Sequence, residues 1–309
     1  MYGLEEEAFA AESVPAEVAG FTAAFAAMAA GRPSVWQIGV AEARAGGFMP
    51  SSPVSERAYD IAIEGGPSLH VVPHPAPRGV LLHVHGGGFI LGGADKQDAL
   101  LEHIADTVGV TVVSVEYRLA PEHPYPAAWD DCDAAAQWLV DNAVAELGAP
   151  LVLMAGSSAG ALLAVATLVR LRDRGLSAGI RGIALDCGVY DSTMTPSQRQ
   201  ASAGMLTADD IARNRDAYAP DEAIRREPDV SPLYADLRGM PPALFTVGTL
   251  DAMLDDSLFM YGRWLAAGAR AELALYPGAD HAFTDSPHPS APAAIAHIDE
   301  FLAACLPRT

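Results

Sequence analysis

From residue 79 onward, short apolar runs alternate with segments of helical spacing: "GVLLHV", a helix from about Gln97, "VTVVSV", a helix from about Ala127, "PLVLMA", then a helix from Ala159 that ends at Gly175. The alternation continues through "GIALDC", "PALFTVG" with a helix from about Asp255, and "AELALY" with a last helix from about Ser290 to Ala304. This order dictates the architecture. Strands joined by helical crossovers lie parallel, and a parallel sheet needs helices on both faces, so the chain is predicted to form an α/β, doubly wound, mostly parallel sheet. Ahead of it, "AYDIAI" and "SLHVV" flank the turn "EGGP" and read as a hairpin, preceded by a helical stretch to about residue 45. Between "GIALDC" and "PALFTVG" the alternation breaks over a segment with helical pieces and no strand. With 309 residues, half of them hydrophobic, the chain can bury one large core. The break therefore reads as an insertion over the sheet of a single domain.

The turn between "PLVLMA" and the following helix, "GSSAG", holds two adjacent serines. A sharp strand-to-helix turn forces its central residue into strained backbone, and glycines two before and two after let neighbouring chain approach. Only Ser158, between Gly156 and Gly160, has that spacing; Ser157 would be flanked by Ala155 and Ala159. By itself the string is weak, since it arises by chance in on the order of one chain in ten of this length.

In open parallel sheets, sites form beyond the carboxyl ends of strands. "GVLLHV" is followed by "HGGGF", whose glycines leave backbone N–H groups free to face a ligand oxygen. "PALFTVG" is followed by Asp251, and "AELALY" by His281. A lone loop aspartate or histidine is usually only solvated. Here four features follow the correct strands, in the chain order serine, aspartate, histidine of a nucleophile-elbow hydrolase. Asp255 and Asp256 open the next helix, where acidic residues serve as caps and dipole partners.

Other readings are narrowed by composition. The formal charge of −20 argues against nucleic acid and anionic membrane surfaces as partners. Cys132, Cys187 and Cys305 are widely spaced, in no zinc or disulfide pattern, which fits a reducing compartment. The acidic start is unlike a secretory signal and "VAGFTAAFAAMAAG" is too short to span a bilayer, so a soluble, cytoplasmic protein is expected. His83 and His85 alternate on one strand as metal-ligand pairs do, but no HxxEH, HExxH or CxxC string accompanies them. His83 reads as a hydrogen-bonded core histidine, and no metal or other cofactor is expected.

"HGGGF" at His85, "YRLAPEHPYPAAWDD" from Tyr117, "GSSAG" at Gly156, "SPLYADLRGMPPAL" from Ser231 and "DHAF" from Asp280 together resemble the hormone-sensitive-lipase-like (bacterial family IV) carboxylesterases of the α/β-hydrolase fold, from about residue 50 to the end. The resemblance implies an eight-stranded sheet with a helical cap, the cap built from about residues 1–50 and 190–230. It departs from the family's usual G-D-S-A-G-G elbow at Ser157 and Ala161, and Glu116 stands where an aspartate is usual.

The expected chemistry is ester hydrolysis through an acyl-enzyme, with Ser158 as nucleophile, His281 as base, Asp251 as its orienting acid, and the N–H groups of Gly87, Gly88 and Ala159 as the oxyanion hole. The resemblance implies short to medium acyl chains. A lactonase, amidase or deacetylase is the alternative, and a non-catalytic receptor on this fold would be expected to lack His281. A small-molecule ester is the expected partner; a homodimer is left open.

Overall fold

The computed structural model describes residues 5–46, 48–49, 51–202 and 204–307. Residues 1–4, 47, 50 and 203 of the expected cap segments lie outside them. Eight strands form one sheet: β1 (Tyr59–Ala62), β2 (Ser68–Val72), β3 (Val80–Val84), β4 (Thr111–Glu116), β5 (Leu151–Ser157), β6 (Gly182–Asp186), β7 (Ala243–Gly248) and β8 (Ala271–Tyr276). Their order is β1-β2-β4-β3-β5-β6-β7-β8. Only β2 runs against its neighbours, pairing antiparallel with β1 and β4; all other pairs are parallel. The hairpin, the crossovers and the mostly parallel sheet are those the apolar pattern dictates.

The central strands are buried on both faces, and their two-residue period sends neighbours to opposite layers. Leu82, Met154 and Phe245 join a core with α5 (Ala127–Leu147), α6 (Ala159–Asp173) and α9 (Leu254–Ala266), through Leu139, Leu162 and Trp264. Leu81, Leu153 and Leu244 face the other way, onto α4 (Asp98–Ile104) and α10 (Ala291–Cys305), through Leu101 and Leu302. Fully burying one such leucine stabilises the fold by about 1.5–3 kcal/mol, so this two-layer core fixes the strand ends that carry the site.

The N-terminal helical stretch is three helices, α1 (Ala16–Ala29), α2 (Val35–Ile38) and α3 (Val40–Ala45). Between α2 and α3, Gly39 takes φ +102°, which breaks the run because other residues rarely adopt it. The segment after β6 contains α7 (Pro196–Gln200) and α8 (Ala208–Tyr218) and no strand among the described residues. Trp36 Nε1 donates to Asn214 Oδ1 of α8 at 2.9 Å, joining the two segments. Arg44 Nε donates to Ile90 O at 2.8 Å, tying α3 to the chain beyond β3. Among the described residues, no helix is long and apolar enough to cross a membrane.

Candidate active site

The turn after β5 is strained as its sequence requires. Ser158 has φ 52° and ψ −118°, outside the usual regions for an L-residue. Both flanking glycines are demanded by packing: a Cβ on Gly160 would lie 2.1 Å from Val84 O, and one on Gly156 would lie 2.5 Å from Gly160 O. The start of α6 is thereby pressed against the end of β3, next to "HGGG". Ser157 remains the last residue of β5.

Ser158 Oγ lies 3.0 Å from His281 Nε2, and His281 Nδ1 lies 2.8 Å from Asp251 Oδ1. Ser158, His281 and Asp251 are all buried. The three residues predicted from sequence thus meet in one hydrogen-bonded relay. Burial alone would lower the His281 imidazole, but the Asp251 carboxylate, with Asp280 and Asp186 beyond it, outweighs burial and raises it above the ordinary 6.5.

Gly87 and Gly88 take φ +115° and +61°, the left-handed region where glycine is favoured. The N–H groups of Gly87, Gly88 and Ala159 donate to no protein acceptor among the described residues. Gly86 abuts the serine turn, since a Cβ there would lie 3.0 Å from Ser157 O. This loop is held from below by "YRLAPEHP". Tyr117 Oη donates to His85 O at 2.9 Å, its ring stacks on His85 at 4.1 Å, and Ala120 N donates to Phe89 O at 2.9 Å. Sequence reasoning found no mechanical role for that motif; it is the bracket of the glycine loop.

His83 and His85 are held neutral by burial, pushed down to about 3 and about 4. His83 Nδ1 meets Ser114 Oγ at 3.0 Å, as expected of a core histidine.

The helix-cap reading of Asp255 and Asp256 is corrected. Met253 is the N-cap of α9 and makes no side-chain cap bond, while Asp251 Oδ1 accepts from Met253 N at 2.8 Å. Asp255 Oδ2 accepts from Ser197 N at 2.8 Å. Asp256, fully buried, accepts from the N–H groups of Tyr190 and Asp191, from Thr195 Oγ1 and from Gln198 Nε2. Both carboxylates point off their own helix because the segment after β6 offers donors that the sequence does not reveal as neighbours.

Asp186 was also missed. Its carbonyl accepts from Ser158 N at 2.9 Å and its Oδ2 from Thr284 Oγ1 at 2.5 Å, so one residue bridges the serine turn and the histidine loop. Burial pushes its carboxyl up to about 7. The histidine loop is further braced by α1, where Thr22 Oγ1 donates to Gly278 O at 2.8 Å and Phe21 packs edge-on against His288. Asp280 does not orient the His281 ring; its oxygens accept from the N–H groups of His281 and Met205.

A cavity of about 1990 Å³ opens over the relay, lined among others by Phe25, Trp36, Gly88, Ser158, Ile211 and His281. It exceeds the roughly 300–1,000 Å³ usual for small-ligand sites because it runs on into the open groove bordered by α1–α3 and α8. Among the described residues, Cys187, Asp251 and His281 form the group whose donor atoms lie close enough to hold a metal ion.

A family model described as the alpha/beta hydrolase fold matches residues 81–285. A hyperthermophilic esterase from the archaeon Pyrobaculum calidifontis is similar at 31% identity over 82% of this chain and 86% of its own, with a TM-score of 0.75. A thermostable esterase from Pseudomonas putida is similar at 26% identity over 96% and 98% of the two chains, with a TM-score of 0.84. An esterase/lipase from an uncultured bacterium is similar at 25% identity over 94% and 99%, with a TM-score of 0.81. On these matches the chain belongs to the hormone-sensitive-lipase-like family of the α/β-hydrolase fold.

Proposed function

We propose that this protein hydrolyses carboxylic esters of short to medium acyl chains through an acyl-enzyme on Ser158. The observation that carries the reading is the relay itself, a strained serine 3.0 Å from a histidine that is 2.8 Å from a buried carboxylate. Ser158 Oγ attacks the ester carbonyl carbon as His281 Nε2 takes its proton. The carbonyl oxygen becomes an oxyanion facing the N–H groups of Gly87, Gly88 and Ala159; in other enzymes one such donor is worth about 2.7–4 kcal/mol. The alcohol leaves with the proton from His281, and water then repeats the sequence on the acyl-enzyme. Asp251 holds the ring with Nδ1–H toward itself and stabilises the imidazolium. Asp186 is a positioning residue, keeping the serine and histidine loops in register. The similar esterases from Pyrobaculum calidifontis and Pseudomonas putida support the same reaction class. Turnover of a graded panel of p-nitrophenyl esters, with one lactone and one amide, tests it; preference for the lactone or amide over every ester would overturn it.

Only neutral imidazole accepts the serine proton, so activity rises with pH through the His281 pKa. That pKa is raised, so the ascending limb of kcat/KM is expected to have its midpoint above 6.5. A limb centred below that value, with chemistry limiting, would remove His281 from the role of base.

The three N-terminal helices and the segment from about 190 to 230 are proposed as the cap. Removing residues 1–40 is expected to change chain-length preference, because Phe25 and Trp36 line the cavity. It should also lower kcat, because Thr22 and Phe21 brace the histidine loop. A folded truncation with unchanged selectivity would refute the cap.

A further inference from the structure

We propose that the buried group beneath the cleft formed by Cys187 Sγ, His281 and Asp251 is an inhibitory site for one soft divalent cation, with Zn²⁺ as the type ion. A sulfur, a ring nitrogen and a carboxylate oxygen of these residues lie within 4.8 Å of one another, and all three side chains are buried. Cys187 follows β6 directly and, though fully buried, is among the residues that border the cavity. Asp251 uses Oδ1 for His281 Nδ1 and Met253 N, while its buried Oδ2 has no hydrogen-bond partner among the described residues. That oxygen is a carboxylate ligand already desolvated. Thiolate, imidazole and carboxylate together suit zinc, which takes such mixed donors tetrahedrally and leaves the fourth position to water from the cleft.

The surroundings favour a cation: the carboxylates of Asp186, Asp251 and Asp285 act electrostatically on the Cys187 thiol, and those of Asp280 and Asp186 act on His281 as well. On binding, the S–H bond breaks and a metal–sulfur bond forms, the thiol proton leaving to solvent; a metal that takes Nδ1 also breaks the Nδ1–H bond, and that proton leaves to solvent as well. Inhibition follows whichever ring nitrogen is taken. Nδ1 is committed to Asp251 and Nε2 to Ser158, so a metal on either removes one bond of the relay. The inhibitory consequence rests on the ester-hydrolase reading, whereas the binding does not.

The test uses the full chain, stripped with EDTA and dialysed. Co²⁺ is titrated while the near-ultraviolet thiolate-to-cobalt band is followed, Zn²⁺ is used to displace it, and ester turnover is read in parallel. One equivalent of Co²⁺ is expected to give the band, and Zn²⁺ to bleach it and abolish turnover, with EDTA restoring activity. Cys187→Ser is expected to lose the band and to need about 10–100-fold more Zn²⁺ for the same fractional inhibition of its own metal-free turnover. Cys187→Ala, which buries no hydroxyl, serves if the serine variant does not fold. Absence of the band in the unaltered protein, an equal band in both cysteine variants, or undiminished Zn²⁺ sensitivity in them would overturn the site. A Cys187-dependent band in a protein that turns over no ester would support the site and count against the ester-hydrolase reading alone.

Discussion

Ser158→Ala is expected to lower ester kcat by about 10⁶-fold, the scale on which a serine protease loses activity without its nucleophile. Ser157→Ala should retain turnover within about tenfold, because Ser157 is the last residue of β5 and Ser158 alone has the positive φ and the bond to His281. The residual rate of the Ser158 variant would come from the oxyanion donors and binding, which do not need the hydroxyl. An alkyl phosphonate should form one adduct, and peptide mass spectrometry should place it on Ser158. An adduct on Ser157, or an active Ser158→Ala variant, would refute the nucleophile and with it the acyl-enzyme.

The second large effect is at the carboxylate. Asp251→Asn keeps the side chain's shape but removes its charge and turns an amide toward His281 Nδ1, which favours the wrong tautomer; kcat is expected to fall by up to about 10⁴-fold. The ascending limb should move to lower pH in the residual activity, since Asp251 is the strongest influence holding the imidazole up against burial. Asp255→Asn should instead cost about 0.5–1.5 kcal/mol in stability, because its carboxylate accepts the N–H of Ser197 and does not reach the relay. Turnover and urea unfolding of both variants separate these outcomes. Loss of turnover in Asp255→Asn with retention in Asp251→Asn would show the acid to be misassigned.

Legibility followed the range of the forces involved. Strands and most helix starts could be read because each depends on its own residues: two-sided burial makes "GVLLHV" and "PALFTVG" continuously apolar, and the helix that was expected at Ala159 begins there. Gly156 and Gly160 could be read because a turn that admits the chain from β3 forbids a Cβ. Ser158, Asp251 and His281 were legible through topology, since parallel strands deliver their carboxyl ends to one edge whatever the intervening sequence.

Pairing between distant segments was not legible. Asp256 looks like a first-turn helix residue, yet four donors from residues 190–198 claim it. Asp186 and Cys187 end an ordinary apolar run, and nothing local marks them as neighbours of the histidine loop 98 residues beyond Asp186. "YRLAPEHP" was visible as a motif, but its role appears only when Tyr117 is under His85. The sequence by itself therefore determined the layer order, the sharp turn and the residue types at the strand ends, because periodicity and glycine spacing are local. Tertiary structure alone decided which buried carboxylates serve the relay and which bind the chain together, because a desolvated charge takes its function from whatever donors folding brings within hydrogen-bond reach.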